Sequence, residues 1–277
     1  MRSLSGILAA ALLLAAACAP AARLPRLVLL APFEGRLREI GYNAYYAALL
    51  AFEETGNTDH AALLALDDGG TAESAISRAR AVSLDNTVAG VILVGPFAAD
   101  ARVQRELGEI PALVVGLWSS ESPVANTIVL SHPAITDAVT VIPVSALSEA
   151  DIETGTDTPW SDLAGLDDVQ RLLPESETIT LLTSGEPASE QFEGRYRAVG
   201  MFTPPPNHLA GLTYLATAEL LSAVTAARTP SAVMQALHEA FPTTEGYWSA
   251  APINAFQVGQ RSFRRVALDD IIEQGQP

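Results

Sequence analysis

The sequence contains no lysine and one cysteine, Cys18, so its permanent positive charge comes from 16 arginines. Against 32 aspartate and glutamate residues, this gives a formal net charge of -16. A field of that sign repels phosphate backbones and anionic lipid surfaces, so nucleic acid is not an expected partner. A lone cysteine cannot form an intramolecular disulfide, which excludes a disulfide framework.

The sequence also lacks the short motifs of common catalytic sites. It contains no G-x-S-x-G, no P-loop, no G-x-G-x-x-G and no H-E-x-x-H. Its four histidines are scattered, and their spacing is not that of a zinc site. They are His60, His132, His208 and His238. The sequence therefore predicts a protein that is not an enzyme and that has no metal site and no cofactor.

The amino-terminal segment has the pattern of an export signal. Arg2 precedes an almost wholly apolar run from Leu4 to Ala17, which is too short to span a membrane. The following L-A-A-A-C ends at Cys18 and resembles the bacterial lipobox, in which the cysteine thiol receives a diacylglycerol. We predict a signal peptide over residues 1–17, lipidation at Cys18 and a tether over residues 18–26. The alternative is a plain secretory signal with an incidental cysteine.

No later apolar run approaches the roughly 20 residues of a membrane span. The rest of the chain is therefore expected to work outside the cytoplasm, held at the membrane by its lipid. A hydrophobic content of 49% excludes disorder, and about 250 mature residues are enough for a large core.

The first half of the mature chain alternates short apolar runs with helical patterns. The predicted strands are apolar on both faces, and the segments between them place apolar residues at three- and four-residue spacing. The runs are Leu27–Ala31, Ala61–Leu66, Val88–Val94, Ala112–Leu117 and Ile128–Leu130. This pattern indicates a parallel sheet covered by helices on both sides, with right-handed crossovers. Tyr42, Tyr45 and Tyr46 have the spacing of a helix face that packs in the core.

The pattern weakens after residue 131. Val139–Val144 and Thr178–Thr183 are predicted strands, but an acidic, loop-like stretch from Ser148 to Asp168 separates them. Helices return after Asn207 and after Thr229, both of which are predicted caps. Thr71 and Asp100 are predicted caps of the helices that follow the second and third strands.

Several segments resemble, in order and spacing, the type I solute-binding lipoproteins of ABC importers, particularly those for leucine, isoleucine and valine and for amides. The segments are Leu30–Gly35, Gly41–Tyr45, Asp67–Gly70, Gly90–Pro96, Phe192–Tyr196, His208–Leu221 and Pro252–Arg265. The resemblance implies an α/β fold of two Rossmann-like, doubly wound lobes, the second of them reduced. We predict a first lobe from residues 27–131 and 207–250, and a second from residues 132–206 and 251–277.

The site is expected beyond the carboxyl ends of the strands, where open parallel sheets bind ligands. The loops after the first, third and fourth strands should converge there. They contribute the candidate ligand-binding residues Phe33, Glu34, Gly95, Pro96, Phe97, Ser119 and Ser120. Asp67 and Asp68 also end a strand, but we interpret them as caps of the following turn.

The resemblance gives these loops roles. In relatives, the loop after the fourth strand offers backbone amides and hydroxyls to a ligand carboxylate, and Ser119 and Ser120 stand there; the alternative is a local turn role. Relatives have a serine after the third strand, where this chain has Phe97-Ala98-Ala99. Glu34 could hold an ammonium or hydroxyl group, or simply be solvated.

The reduced second lobe offers fewer candidates. Glu186 is the acid that we nominate there for an ammonium group. Trp160 could stack on a ligand, but a lone tryptophan in a loop is more often a plug over apolar surface.

These observations predict an extracytoplasmic solute-binding lipoprotein of an ABC importer. It would be a monomer that captures a small polar, amino-acid-like solute in an interlobe cleft and passes it to the permease subunits. The alternative is a degenerate lipoprotein of the same fold that acts as an interaction or scaffold module without a transported solute.

Overall fold

The computed structural model describes residues 24–119, 121–139, 160–162, 173, 175, 177–227 and 229–268. The predicted signal peptide, Cys18 and Ser120 lie outside these residues. So do residues 140–144 of the predicted strand Val139–Val144 and most of the acidic stretch. Val139, which is described, is not in a strand. No helix in the described part of the chain is long and apolar enough to cross a membrane.

The first lobe is built on a seven-stranded sheet in the order β2-β1-β3-β4-β5-β9-β8. Its strands are β1 (Arg26–Ala31), β2 (Ala62–Asp67), β3 (Val88–Val94), β4 (Ala112–Val115), β5 (Thr127–Leu130), β8 (Thr243–Thr244) and β9 (Tyr247–Trp248). The first five are parallel, and β8 and β9 form an antiparallel hairpin at the edge. In β1, the five residues from Leu27 to Ala31 are fully buried. The predicted parallel sheet is confirmed.

Helices cover this sheet. They are α1 (Arg38–Thr55), α2 (Ala72–Ser83), α3 (Ala101–Glu106), α4 (Pro133–Ala138), α5 (Glu190–Ala198), α6 (Ala210–Ala226) and α7 (Pro230–Ala240). A short 3-10 turn, Gly35–Leu37, precedes α1.

Side-chain caps begin several of these helices. Thr71, Asp100 and Thr229 each accept a hydrogen bond from a backbone N–H of the first turn of α2, α3 and α7. These three predicted caps are confirmed. Asn207 is different, because α6 begins at Ala210 and the Asn207 side chain accepts from the Leu209 N–H in the preceding turn.

The three tyrosines of helix α1 differ in burial. Tyr45 packs against the main core, and Tyr46 packs against the cluster of Ala47, Leu50 and Ala210, as the spacing predicted. Tyr42 is 43% exposed, so the prediction that it packs in the core is wrong.

The second lobe contains a four-stranded mixed sheet in the order β11-β10-β7-β6. Its strands are β6 (Trp160–Ser161), β7 (Thr178–Thr183), β10 (Asn254–Gly259) and β11 (Ser262–Val266). β10 pairs antiparallel with both β7 and β11, whereas β6 runs parallel to β7. β10 and β11 therefore form an antiparallel hairpin. Trp160 lies in β6 and is buried, which favours the packing interpretation over a stacking platform.

Helix α5 follows the second lobe in sequence but packs on the first. The Tyr196 hydroxyl contacts the carbonyl and side-chain oxygens of Asn43 in α1, each at 3.2 Å. Tyr196 is fully buried with Ala47, Leu50 and Ala210 of the first lobe. The packing thus differs from the predicted division, which gave residues 132–206 to the second lobe, because this helix buries Tyr196 against α1 and α6.

Candidate functional site

The strand order of the first sheet reverses between β1 and β3. Such a switch point leaves a crevice beyond the carboxyl ends of the two strands. There, the Pro32 ring lies against Gly95, where a built Cβ would be 3.0 Å from Pro32 Cδ. Gly95 has a φ of 96°, which glycine adopts without strain. Five predicted site residues therefore come together in two adjacent loops: Phe33, Glu34, Gly95, Pro96 and Phe97.

Asp67 holds the loop after β1. Its Oδ1 accepts hydrogen bonds from the backbone N–H groups of Phe33 at 2.7 Å and Glu34 at 3.2 Å. Its Oδ2 accepts from the Gly69 N–H at 3.0 Å. The interpretation of Asp67 as a turn cap is confirmed, and the contacts to the β1 loop were not predicted.

Asp68 also serves the turn, since its Oδ1 accepts from the Gly70 N–H at 2.8 Å. The residue is fully buried, and Oδ2 has no hydrogen-bond partner among the described residues. Burial raises the pKa of the Asp68 carboxyl to about 6, while the Gly70 hydrogen bond opposes the rise and the neighbouring Asp67 adds to it.

Aromatic side chains form the wall of this crevice. Phe33 is half-buried and makes edge contacts with Tyr42 at 5.8 Å and with Tyr45 at 6.3 Å between ring centroids. Glu34, next to it, is exposed. The loop after β1 therefore offers an apolar face with a carboxylate at its rim.

The next loop follows β4. Ser119 is partly exposed, and its hydroxyl oxygen accepts a hydrogen bond from the Glu121 N–H at 3.1 Å. This is the local turn role that the sequence left open. The Trp118 indole N–H turns inward and donates to the Val115 carbonyl at 2.7 Å.

The second lobe contacts the end of β4 directly. Asp162 Oδ2 accepts a hydrogen bond from the Leu117 N–H at 2.6 Å, and Asp162 Oδ1 accepts from the Thr183 hydroxyl. The Ser161 hydroxyl donates to the Leu117 carbonyl at 3.0 Å. The backbone of Leu117 is thus bonded on both sides by the second lobe.

His208 lies beside this carboxylate. Its Nε2 is 3.5 Å from Asp162 Oδ1, and its side chain is 5% exposed. Neither ring nitrogen has a hydrogen-bond partner of good geometry in the described structure. The His208 carbonyl oxygen packs against Gly185, where a Cβ would overlap it. Asp162, Thr183 and His208 therefore form a buried polar cluster between the lobes.

Glu186 lies at the outer edge of the second lobe. Its carboxylate is 3.3 Å from the Arg265 guanidinium, which also donates to the Asn254 side chain. The Asn254 amide donates to the Gly185 carbonyl at 3.0 Å. The nominated acid is therefore already paired with an arginine in this structure.

Sequence reasoning missed several residues at the contact between the lobes. They are Leu117, Asp162, Thr183 and His208. Asp162 stood in a stretch that looked like solvated acidic loop, and nothing in its spacing distinguished it from its neighbours. A buried aspartate is identified by what surrounds it, which the sequence does not show.

A second depression, of about 900 Å³, lies at the opposite edge of the first sheet. Pro25, Thr87, Val224 and Pro230 are among the residues that line it. It adjoins the amino ends of β1 and β3, where doubly wound sheets do not usually bind ligands. No group of three or more histidine, cysteine or acidic residues in the described part of the chain could hold a metal ion.

The second lobe, a four-stranded sheet in the described residues, meets the first lobe at the carboxyl ends of the parallel strands. This arrangement defines the class of fold. This chain has the type I periplasmic binding protein fold, with a reduced second lobe. No protein-family model matches the sequence, and no curated protein matches it.

Solved structures carry the resemblance. A possible leucine/isoleucine/valine-binding protein from Rhodopirellula baltica SH 1 has a TM-score of 0.65 at 16% identity, over 92% of this chain and 100% of that one. A periplasmic binding protein from Burkholderia mallei has a TM-score of 0.66 at 14% identity, over 89% and 95%. A solute-binding protein of an ABC transporter from R. palustris, in complex with benzoate, has a TM-score of 0.64 at 13% identity, over 89% and 96%.

Proposed function

We propose that this protein is an extracytoplasmic solute-binding lipoprotein of an ABC importer, which captures a small polar solute between its lobes. The observation that carries the proposal is the convergence of the loops after β1, β3 and β4 on one edge of the first sheet, facing the second lobe. That edge is where the fold binds ligands. The loops combine an apolar wall at Phe33 with polar groups at Glu34 and Ser119.

The similar structures support this proposal. One is described as a leucine/isoleucine/valine-binding protein, and another was solved with benzoate. Both descriptions concern small molecules that pair an apolar body with a polar group. The crevice of this chain likewise combines an apolar surface with polar groups, so we propose that its solute is amino-acid-like.

The remaining parts of the proposal follow from the sequence. Residues 1–17 would be the signal peptide, and Cys18 would carry the lipid that keeps the protein at the membrane. The domain would then stay close to permease subunits in the same membrane and act as a monomer, with lobe movement admitting and releasing the solute.

Thermal unfolding of the full chain in detergent tests the proposal. Tryptophan fluorescence follows the unfolding in the presence of a panel of amino acids, amides, small peptides and sugars. A solute at 100 times its dissociation constant adds about 2.7 kcal/mol, which raises the midpoint of a chain this size by roughly 5 to 11 °C. One responsive class of solute would support the proposal. A cooperatively folding protein that responds to no compound would contradict it.

A second function is favoured by one surface feature. Met201 and Phe202 are 90% and 84% exposed in the turn after α5, next to Tyr46 through Gly200. Two adjacent exposed apolar residues are typical of a contact surface. In this alternative, the protein is an interaction or scaffold module. Capture of a protein partner by the wild-type chain, lost in Met201→Ser/Phe202→Ser with unfolding unchanged, would support it.

A further inference from the structure

We propose that Asp162 is an internal anion that takes the anion-binding position at the end of β4, and so restricts the interlobe site to solutes whose recognised group is neutral or cationic. This inference rests on the proposed function and deepens it by naming the charge class of the solute. It also assigns a specificity-determining residue to a segment that the sequence marked only as acidic loop.

The contacts of Asp162 are those that a bound carboxylate would make. One oxygen accepts from a backbone amide of the first lobe, Leu117 N–H at 2.6 Å, and the other accepts from a hydroxyl of the second lobe, Thr183. The His208 ring lies 3.5 Å away. An amide at the carboxyl end of a parallel strand is a natural position for an anionic group. The Asp162 side chain therefore provides the carboxylate that a bound ligand could otherwise provide at this position.

Gly116 makes this approach possible. Its φ of 88° turns the backbone out of the β4 ladder, a conformation that glycine adopts freely. A Cβ at this position would lie 3.0 Å from Asp162 Oδ2. Such a separation is tighter than most Cβ contacts, so a side chain at this position would push the carboxylate away from the Leu117 amide by a few tenths of an ångström.

The backbone of Asp162 is itself unusual. Its φ is 23°, a positive value that residues other than glycine seldom adopt. Strain of this kind persists only where the surrounding contacts impose it, and it concentrates at ligand clamps and switches. In this conformation the Asp162 carboxylate makes its two hydrogen bonds, to the Leu117 N–H and to the Thr183 hydroxyl.

The consequence concerns the charge of the solute. The Leu117 N–H is a single donor and is already used, so a second carboxylate at this position would lack its hydrogen bond. It would also face the negative charge of Asp162 in a fully buried site, where repulsion between like charges is strong. A solute with an amide, hydroxyl or ammonium group meets neither obstacle.

The first experiment removes the internal anion and offers a replacement. Asp162→Gly deletes the carboxylate, and glycine adopts the positive φ of this position without strain. Thermal unfolding of the variant is measured in sodium acetate and in sodium chloride of equal ionic strength. Acetate at about 100 times its dissociation constant should raise the midpoint of this variant by roughly 5 to 11 °C. Asp162→Asn is the matched control, because its amide oxygen still fills the position.

The result expected is stabilisation of Asp162→Gly by acetate, with shifts below about 1 °C in the wild-type chain and in Asp162→Asn. A glycine variant that acetate does not stabilise, whether it is folded or unfolded in chloride, would overturn the proposal. Equal stabilisation of all three chains would do the same, since it would show a general salt effect.

The second experiment uses matched pairs of solutes on the wild-type chain: leucine with leucinamide, and benzoate with benzamide. The proposal expects the neutral or cationic amide of a pair to bind at least 10-fold more tightly than the carboxylate. If a carboxylate binds as tightly as its amide, solute binding stands and the role of Asp162 fails. If no solute binds but acetate stabilises Asp162→Gly, the role of Asp162 stands and the proposed function fails.

Discussion

The Arg195 guanidinium bridges α5 to α1 through Glu54, with Nη1 at 2.7 and 2.6 Å from the two carboxylate oxygens. The Tyr214 hydroxyl of α6 donates to the same carboxylate at 2.7 Å. The consecutive helices α5 and α6 therefore meet the distant helix α1 at one carboxylate. The Tyr214 hydrogen bond is the main cause that lowers the pKa of Glu54, and Arg195 lowers it further, against a smaller rise from burial.

We expect Glu54→Gln to destabilise the protein modestly at pH 7, by about 0.2 to 1 kcal/mol, because the pair is partly exposed and screened by solvent. A lowered folded-state pKa means that the contribution of Glu54 is present above the unfolded value and is lost as the pH falls through the folded value. The difference between Glu54→Gln and wild type should therefore shrink below pH 4. Urea unfolding at pH 7 and pH 3 measures it. The neighbouring, exposed Glu53→Gln is the control, and an equal effect there would contradict the assignment.

Asp68 should affect the pH dependence of stability in the opposite direction to Glu54. Its pKa is raised from 3.8 to about 6, so the folded state favours the protonated form, and this contribution to stability is lost as the pH rises through 6. A shift of this size corresponds to roughly 3 kcal/mol. Asp68→Asn removes the titration, so its stability relative to wild type should increase by about that amount between pH 3.5 and pH 7.

Denaturant unfolding across that pH range checks the Asp68 prediction. Asp59→Asn, in an exposed turn, serves as the control for a general loss of negative charge. A stability difference between Asp68→Asn and wild type that is the same at both ends of the range would show that Asp68 does not titrate as described.

Gly41 in α1 allows the helix to touch the loop after β1. A Cβ there would overlap the carbonyl oxygen of Pro32, which is backbone and cannot rotate away. We expect Gly41→Ala to cost about 1 to 3 kcal/mol through overpacking, despite the better helix propensity of alanine. Gly194, inside α5, has nothing within 4 Å of a built Cβ, so Gly194→Ala should stabilise the protein by about 0.5 to 1 kcal/mol. Thermal unfolding of both variants tests this prediction. Shifts of the two unfolding midpoints in the same direction would refute the packing argument.

Ser119 offers a direct test of the proposed site. If its hydroxyl donates to the solute while it accepts from Glu121, Ser119→Ala should weaken solute binding by about 10-fold, which corresponds to one lost hydrogen bond of about 1.4 kcal/mol. Calorimetric titration with the solute found in the thermal panel measures this. Ser122→Ala, in the exposed part of the same loop, is the control. Unchanged affinity in Ser119→Ala would leave Ser119 as a turn residue only.

Cys18 should determine where the protein is found. Because diacylglycerol attachment needs the thiol, we expect Cys18→Ser to remain uncleaved or to appear in the soluble fraction, while the wild type partitions with membranes. Mass spectrometry of the mature amino terminus would identify the lipid on Cys18. A wild-type protein with an unmodified cysteine at this position would favour the plain secretory signal.

The comparison of pattern with structure is clearest in the first lobe. Val88–Val94 was predicted to the residue, because a strand buried on both faces is apolar along its whole length and ends where Gly95 and Pro96 break it. Caps such as Thr71 and Asp100 were equally local, since the donor and the acceptor lie within three residues of each other. The meeting of the loops at Phe33 and Gly95 was expected because the carboxyl ends of parallel strands lie at one edge of a sheet.

Contacts between distant segments were beyond that reasoning. Tyr42 has the spacing of a core residue, yet it is 43% exposed, because only the packing of α1 in the whole fold decides which of its side chains are buried. Helix α5 follows the second lobe along the chain but buries Tyr196 in the first. Asp162 lies 45 residues from Leu117, and no local pattern links a carboxylate to an amide at that separation.

The amino-acid sequence by itself excluded an intramolecular disulfide and determined the parallel sheet, because each depends on composition or on neighbours within one strand. It also predicted an export signal at the amino terminus and a solute site at the carboxyl edge of that sheet. The tertiary structure alone decided what lies at that edge. It brought Asp162, Thr183 and His208 to the end of β4, since the position of a buried charge is set by the donors that fold around it from both lobes.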